Sequence, residues 1–338
     1  MLSRFHAPAQ RVLELAQRYP GVIALFGFVS GVASYFLVER HAQFARGIAI
    51  VVLLSWLWLL LEPGIRGWLE HRHGWRIPTL LLRFLTQMIH QESLFFVLPF
   101  ILTATAWASG QAVFAVALLL AAAVAVIDPW YHHWLGTRRW WFMAYHTFTL
   151  FAVLLAALPL IFHVPTGQSY LWALGTAVIL AYPTVRGVVP VRARWRQAVI
   201  VAVLAVVAGL GWLGRHWVPP ATLWLAEGRM TRQIDTTRRS PGAEVREIGQ
   251  ADLKHGGLVA FTAVHAPLGL RERVFHVWRH QGREVDRIEL EIRGGREQGY
   301  RAWSHKANFP DDASGRWQVQ VMTETGQMVG NLRFRVLP

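Results

Sequence analysis

Nearly all the long apolar runs of the chain lie between residues 21 and 218. About 20 consecutive apolar residues are needed to cross the hydrocarbon core of a bilayer. The pattern therefore predicts a membrane all-α helical bundle of about seven transmembrane helices. The predicted spans are residues 20–38, 45–61, 84–107, 111–127, 141–162, 169–189 and 197–214.

The pattern changes after Pro219 and Pro220. Leu223, Glu227 and Met230 fall at helical spacing, so residues 219–256 are predicted to form a juxtamembrane helix (221–238) followed by a linker. From Gly257 onward the period becomes two, with turn residues between the apolar runs, which predicts a small antiparallel β-sandwich over residues 257–338. The predicted strands are residues 257–265, 272–280, 284–293, 299–305, 316–323 and 329–336.

Arginine in the short loops predicts the orientation of the bundle. Arg138 and Arg139 lie between spans four and five, and further arginines lie in the 186–196 loop, whereas loops 108–110 and 163–168 carry no Lys or Arg. By the positive-inside rule the arginine-rich loops and the amphipathic segment 1–20 are cytoplasmic. The β domain is then expected outside, in the periplasm of a Gram-negative inner membrane. If one of the seven predicted spans is false, the β domain is expected in the cytoplasm instead. The loop at 39–46, with Arg40 and Arg46, disagrees with this assignment.

Composition narrows the chemistry. The chain has no cysteine, which excludes disulfides, thiolate metal sites and a cysteine nucleophile. The net charge of +14 is concentrated in the membrane part, where it is a topology signal, and no nucleic-acid-binding motif accompanies it. Nucleic acid is therefore not an expected partner, and membrane lipids are.

A polar helix face enters the third predicted span. Arg83, Gln87 and His90 lie at i, i+4 and i+7, with Gln91 and Glu92 beside them. One interpretation is a polar cavity or proton relay inside the bundle, because charges in hydrocarbon usually face a cavity or a partner. The other, which the sequence favours, is an amphipathic helix on the cytoplasmic surface, with the span beginning at Leu94.

Histidines near residue 130 raise the question of a metal. Asp128, His132 and His133, with His146 further on, form one partial ligand set, but Pro129 indicates a turn in which Asp128 caps a helix. Ligation of haem by His90 and His146 has no supporting motif. No metal and no cofactor are predicted. Tryptophans near the span ends, including Trp56 and Trp58, are interpreted as an interfacial belt.

The end of the chain carries a resemblance to known proteins. The segments 294–306 (GGREQGYRAWSHK), 315–317 (GRW) and 332–336 (LRFRV) resemble a bacterial C-terminal domain of unknown function. With segments 55–63 (SWLWLLLEP) and 266–273 (APLGLRER), the whole chain is similar to a proteobacterial multi-pass inner-membrane family that carries this domain. The resemblance implies a fold and a location, and it supplies no activity and no catalytic residues.

A basic and aromatic cluster in the β domain is the predicted binding site. Arginine and tryptophan are favoured at binding hot spots, and such a cluster suits an anionic lipid headgroup, a glycan or a protein. Strand alternation predicts that Tyr300 and Ala302 face the core while Arg301 and Trp303 face out, or the reverse. The strand at 276–280 extends the cluster if it is adjacent. The cluster consists of Arg296, Tyr300, Arg301, Trp303, His305 and Lys306.

No nucleophile elbow, phosphate loop or zincin motif is present, so no catalytic residue is predicted. The predicted function is a membrane-anchored cell-envelope interaction protein whose periplasmic β-sandwich binds a protein partner or an envelope component. The alternatives are a membrane enzyme or transporter that uses a polar cavity in the bundle, with Arg83, His90 and Glu92 as its residues, and an accessory subunit of a larger membrane complex.

Overall fold

The computed structural model describes Val29 and residues 42–74, 77–188 and 194–338. The predicted segment 1–20 and, apart from Val29, the predicted span 20–38 lie outside these residues. Six long helices precede the β strands in the described part. They are α1 (Ala42–His73), α2 (Thr79–Ala104), α3 (Gln111–Val126), α4 (Arg139–Phe162), α5 (Thr166–Val188) and α6 (Arg194–Leu213), with a π-helical turn at Pro129–Leu135 and a 3-10 turn at Gly214–Trp217.

Four helical segments in the described part are long and apolar enough to cross a membrane, namely Phe44–His73, Leu81–Ala104, Arg139–Phe162 and Trp195–Trp217. A fifth arises only if α3 and the π-helical turn, which meet at a bend of 98°, form one broken span. Helix α5 covers the sixth predicted span but does not meet the same criteria within the residues described. The prediction of seven spans is therefore not supported.

Helix α1 shows how these helices divide their surface. Ala45, Ala49, Val52 and Trp56 are buried at intervals of three and four residues, so they form a single stripe along the helix. Large apolar side chains on the remaining faces are exposed, among them Val51, Leu54, Leu57 and Leu61. A helix that exposes apolar residues on this scale fits a hydrocarbon environment better than water.

The chain divides into two compact units. The first contains the described residues up to Pro99 together with Ala117–Val153 and Ala177–Ala202, and its described residues form helices and short connections without strands. The second contains Phe100–Val116, Leu154–Thr176 and Val203–Pro338, and therefore combines helix ends with the whole β domain.

Two main sheets and one short hairpin build the β domain. Its elements are β1 (Trp224–Thr231), β2 (Ile234–Asp235), β3 (Ser240–Pro241), β4 (Glu247–Gly249), α7 (Gln250–Gly256), β5 (Leu258–His265), β6 (Arg271–His280), β7 (Arg283–Arg293), β8 (Tyr300–Lys306), β9 (Gly315–Thr323) and β10 (Met328–Leu337). The first sheet has the strand order β1-β5-β8, the second has the order β4-β10-β9-β6-β7, and β2 pairs with β3 in the hairpin. All pairs are antiparallel except β4 with β10.

The core of the β domain is shared by both main sheets. Met230 and Leu258 from the first sheet pack in one buried cluster with Trp278, Trp317 and Phe334 from the second. The two tryptophans are fully buried. At about 25 cal/mol per Å² and roughly 200 Å² per ring, each contributes about 5 kcal/mol of burial before conformational entropy is subtracted. All six predicted strands from residue 257 onward are present in the structure.

The predicted juxtamembrane helix at 221–238 is wrong. Strand β1 occupies Trp224–Thr231 and pairs with β5, and β4 pairs with β10, so residues 224–256 belong to the β domain and are not a separate connector. Strand β5 is buried almost throughout and needs a partner on both edges. Gly228 allows β1 to lie close to β10, because a Cβ at this position would be 2.5 Å from Leu332 Cδ2.

Within the second unit, the β domain is hydrogen-bonded to helix ends. Gln111 at the start of α3 donates to Met328 O at 2.9 Å, and the Thr166 backbone N–H at the start of α5 donates to Glu272 Oε2 at 2.7 Å. Just after the end of α6, Arg215 Nε donates to Thr325 O at 3.0 Å, and Val218 O accepts from Gln327 Nε2 at 3.0 Å. These contacts hold the β domain directly against the ends of three helices.

Candidate functional site

A break in the helical path marks the first candidate site. Helix α3 ends at Val126, and the π-helical turn that follows it leaves at 98°. Pro129 at the start of the turn has no N–H to continue the α-helical ladder. A broken helix in a membrane leaves backbone carbonyls that must be satisfied within the protein.

Gln87 of α2 bridges this break. Its Nε2 donates to Ala125 O at 3.1 Å, at the end of α3, and to Asp128 Oδ1 at 2.7 Å, between α3 and the turn. Asp128 occupies the predicted cap position, but its side chain makes no capping hydrogen bond. The carboxylate is held by Gln87, so the predicted capping role of Asp128 is wrong.

A hydrogen-bonded chain of three side chains lies beside the break, in the first unit. His90 Nδ1 lies 2.7 Å from Tyr131 Oη, and His90 Nε2 lies 3.0 Å from His146 Nδ1. The three residues come from α2, the π-helical turn and α4, and His90 is completely buried. Both ring nitrogens of His90 are thus engaged with groups that can each donate or accept a proton. We refer to Tyr131, His90 and His146 as the histidine chain.

Aromatic rings enclose the histidine chain. Trp56 lies 5.5 Å from the His90 ring and 4.7 Å from the His146 ring, measured between centroids, and Tyr145 lies 5.3 Å from His90. The indole N–H of Trp56 donates to Ser93 Oγ at 2.8 Å, and both side chains are buried. The interpretation of Trp56 as part of an interfacial belt is therefore wrong, whereas Trp58, Trp140 and Trp141 are exposed.

The structure separates the predicted polar face of α2. Gln87, His90 and Gln91 are buried, Glu92 is half-buried, and Arg83 is exposed. The surface-helix interpretation is wrong for the three buried residues, because they lie within the continuous helix α2 and face protein. Gln91 Nε2 has no hydrogen-bond partner among the described residues.

The other predicted ligands do not converge. His133 is exposed and His132 contacts the rings of Phe84 and Tyr131. In the described parts of the chain, no group of three or more His, Asp or Glu side chains is arranged to hold a metal ion. His90 and His146 are bonded directly to each other, so they are too close to ligate a haem iron from opposite faces.

The second candidate site lies on strand β8, an edge of the first sheet. Ala302, Ser304 and Lys306 are buried, whereas His305 is exposed and Arg301 and Trp303 are partly exposed. Strand alternation is therefore confirmed, with Arg301 and Trp303 on the outer side. Tyr300 is partly buried and packs against the core.

Two guanidinium groups lie over the rings of Trp303 and Tyr300, and a third, that of Arg301, lies on the outer side of the same strand. The Arg239 guanidinium lies 5.5 Å from the Trp303 ring centroid and 5.8 Å from that of Tyr300, and Arg296 lies 5.0 Å from the Tyr300 ring. Arg301 donates to Arg238 O at 3.2 Å and to Gln298 Oε1 at 3.0 Å. We call this surface the β8 face; it consists of Arg239, Arg296, Tyr300, Arg301 and Trp303.

Two members of the predicted cluster differ from the rest. Lys306 is buried and its Nζ lies 2.9 Å from Asp286 Oδ2, which lowers the pKa of that carboxyl, so it is not part of the exposed face. His305 is exposed, and its Nε2 donates to Gly256 O at 3.1 Å. Arg239 was not predicted. It lies in the turn between β2 and β3, some 60 residues away along the chain, and no local pattern connects it with β8.

The predicted extension of this cluster along β6 is wrong for His276 and Trp278, which are fully buried. Trp278 Nε1 donates to Ser304 Oγ at 3.3 Å, Ser304 lies 2.8 Å from His276 Nδ1, and His276 Nε2 lies 3.0 Å from Thr262 Oγ1. Burial lowers the pKa of His276 to about 3. The Ser–His pair has hydrogen-bond geometry, but its complete burial makes it a structural network.

Comparison with protein families now adds to this geometry. Residues 2–260 match the model of a family of unknown function, DUF5924, and residues 271–336 match that of a protein of unknown function, DUF2914. The chain therefore belongs to the DUF5924 family, and its C-terminal end is similar to DUF2914. The second match covers β6 to β10 and most of the segments behind the resemblance noted above. No curated protein and no solved structure matches the chain.

Proposed function

We propose that the chain is a multi-pass inner-membrane protein whose β domain binds an anionic component of the cell envelope on the periplasmic side. The observation that carries the proposal is the β8 face. Within the described residues, Arg239, Arg296 and Arg301 form no ion pair with an acidic side chain, and the guanidinium groups of Arg239 and Arg296 lie over the rings of Trp303 and Tyr300.

The ligand is inferred from the chemistry of this face. Guanidinium groups form paired, charge-assisted hydrogen bonds with phosphate and carboxylate. The partly exposed ring of Trp303 offers a flat surface beside them. An envelope glycan that carries phosphate or carboxylate groups complements both features, because a sugar ring packs on the aromatic face while its anionic groups meet the arginines.

Contacts within the second unit support the proposed topology. The β domain is bonded to Gln111 and Thr166, next to the two loops that carry no Lys or Arg, 108–110 and 163–168. The positive-inside rule assigns such loops to the outer side. Reporter fusions after Pro338 and in the 186–196 loop test this: opposite sides are expected for the two fusions, and the same side contradicts the topology.

Binding is tested with the full-length protein in nanodiscs of neutral lipid. We expect binding of a phosphorylated envelope glycan, such as lipopolysaccharide, and no binding of an uncharged dextran. The double substitution Arg239→Ala with Arg296→Ala is expected to weaken binding by at least about 100-fold, since hydrogen bonds to charged groups contribute about 1.5–3 kcal/mol each. Trp303→Ala tests the ring in the same way.

The matched control is Arg333→Ala with Arg335→Ala, which removes two exposed arginines from β10 on the other sheet. An equal loss of binding in this control would show that net charge, and not the β8 face, holds the glycan. Stoichiometric capture of a protein that depends on Arg239 and Arg296 would replace the glycan with a protein partner.

A further inference from the structure

The histidine chain in the helical unit is independent of the β8 face. We infer that His90 and His146 form a proton-transfer site, in which a proton moves between His90 Nε2 and His146 Nδ1. Ionisable residues buried among transmembrane helices are costly and usually serve transport or relay functions. The inference assumes that the helices lie in a membrane and does not depend on the function proposed for the β domain.

Hydrogen-bond geometry supports the transfer. A neutral imidazole has one donor and one acceptor nitrogen, and both nitrogens of His90 are within hydrogen-bond distance of groups of the same kind. Both hydrogen bonds of the histidine chain can therefore form in two arrangements. In one, Tyr131 donates to His90 and His90 donates to His146. In the other, His146 donates to His90 and His90 donates to Tyr131. A purely structural bond requires only one of these arrangements.

The transfer conserves the number of protons at each step. In the arrangement where His146 Nδ1–H donates to His90 Nε2, a proton from outside the chain binds His146 Nε2. The Nδ1 proton of His146 then moves across the 3.0 Å contact to His90 Nε2. His146 is again neutral, with its proton on Nε2, and His90 carries the positive charge with a proton on each nitrogen. The Nδ1 proton of His90 then moves to Tyr131 Oη as the hydroxyl proton of Tyr131 leaves the histidine chain, so both histidines are neutral again and one proton has been carried through.

Surrounding groups suit a transient cation. The rings of Trp56, Tyr131 and Tyr145 lie 5.3 to 5.9 Å from the His90 ring in tilted or perpendicular arrangements, within the range of distances at which aromatic rings interact with cations. The break after α3 also brings Tyr131 to His90, because the π-helical turn departs at 98°. Broken helices and π-helical turns are found at ion and proton sites of membrane proteins.

The test uses the purified full-length protein in liposomes with an entrapped pH-sensitive dye. A potassium gradient with valinomycin sets the membrane potential, and the rate of proton entry is measured. We expect faster entry than in protein-free liposomes. His90→Gln and His146→Gln are each expected to lower the protein-dependent rate at least tenfold, since glutamine retains hydrogen bonding but binds no proton. His133→Gln, an exposed histidine in the neighbouring turn, serves as the control and is expected to keep the rate.

Two outcomes overturn the inference: a rate equal to that of protein-free liposomes, or a rate that both glutamine variants retain. Nitrogen NMR of labelled histidine in the wild-type protein provides a readout that does not require the variants to fold. Exchange of the proton between the two rings is expected there, and two rings fixed in single neutral tautomers while proton entry proceeds would contradict the transfer. Neither result bears on glycan binding by the β8 face, so the two proposals fail separately.

Discussion

Replacement of His276 tests whether its buried network holds a neutral ring. Trp278 donates to Ser304, which leaves the Ser304 hydroxyl proton for His276 Nδ1, and His276 Nε2–H donates to Thr262, whose hydroxyl donates to Ala302 O. Every donor in this network has an acceptor when the ring is neutral. A second ring proton on Nδ1 would take away the acceptor of the Ser304 hydroxyl proton, in a fully buried site.

The size of the effect follows from the pKa. Burial lowers the pKa of His276 from 6.5 to about 3, so the unfolded chain binds a proton below pH 6.5 that the folded domain refuses. The contribution of His276 to the free energy of unfolding is fully present above pH 6.5 and is lost as the pH falls. Between pH 7 and pH 5 the loss is about 2 kcal/mol, or roughly 30-fold in the unfolding equilibrium.

His276→Gln removes this loss, because glutamine does not titrate. The stability advantage of wild type over His276→Gln is therefore expected to shrink by about 2 kcal/mol between pH 7 and pH 5. Hydrogen exchange of β5, β6 and β8 in the full-length protein, corrected for intrinsic rates at each pH, measures it. The comparison must be a difference between variants, since Glu272 titrates with the opposite sign. His305→Gln, on the exposed side of β8, is the control. A stability advantage of wild type over His276→Gln that does not change with pH would contradict a neutral, buried His276.

Two further predictions concern the second unit. Burial raises the pKa of Glu272 to about 7, although the hydrogen bond from the Thr166 N–H acts in the opposite direction. The contribution of Glu272 to the free energy of unfolding is therefore present below pH 4.5 and is lost as the pH rises through 7. In the same exchange measurement, wild type is expected to lose about 2–3 kcal/mol relative to Glu272→Gln between pH 5 and pH 8, and a difference that is constant with pH would contradict this. A Cβ at Gly294 would overlap the carbonyl oxygen of Pro267, so Gly294→Ala is expected to destabilise the domain by at least about 2 kcal/mol in thermal unfolding. Gly256 has open space around it, so Gly256→Ala is the control and is expected to cost less than about 1 kcal/mol. Equal effects of the two substitutions would show that the loop adjusts.

Local pattern was sufficient where one face of a strand meets water. Ile288, Leu290 and Ile292 alternate with charged residues along β7, and their burial follows that alternation in the structure. The same reasoning failed at β1, because a β-bulge between Leu225 and Glu227 interrupts the alternation of its side chains. The helical spacing of Leu223, Glu227 and Met230 was accidental.

The candidate sites show the same division. Helical spacing placed Gln87 and His90 on one face of α2, but only packing decided that this face is buried beside a broken helix. Tyr131, Arg239 and the inward position of Lys306 were not predicted, since each depends on a partner about 20 or more residues away along the chain.

The apolar helices and the six C-terminal strands could be predicted from the sequence, because both depend on residues that are neighbours in the chain. Tertiary structure decided which polar groups are buried and which partners satisfy them, because burial is set by elements that meet only after folding. The histidine chain and the β8 face both belong to this second kind.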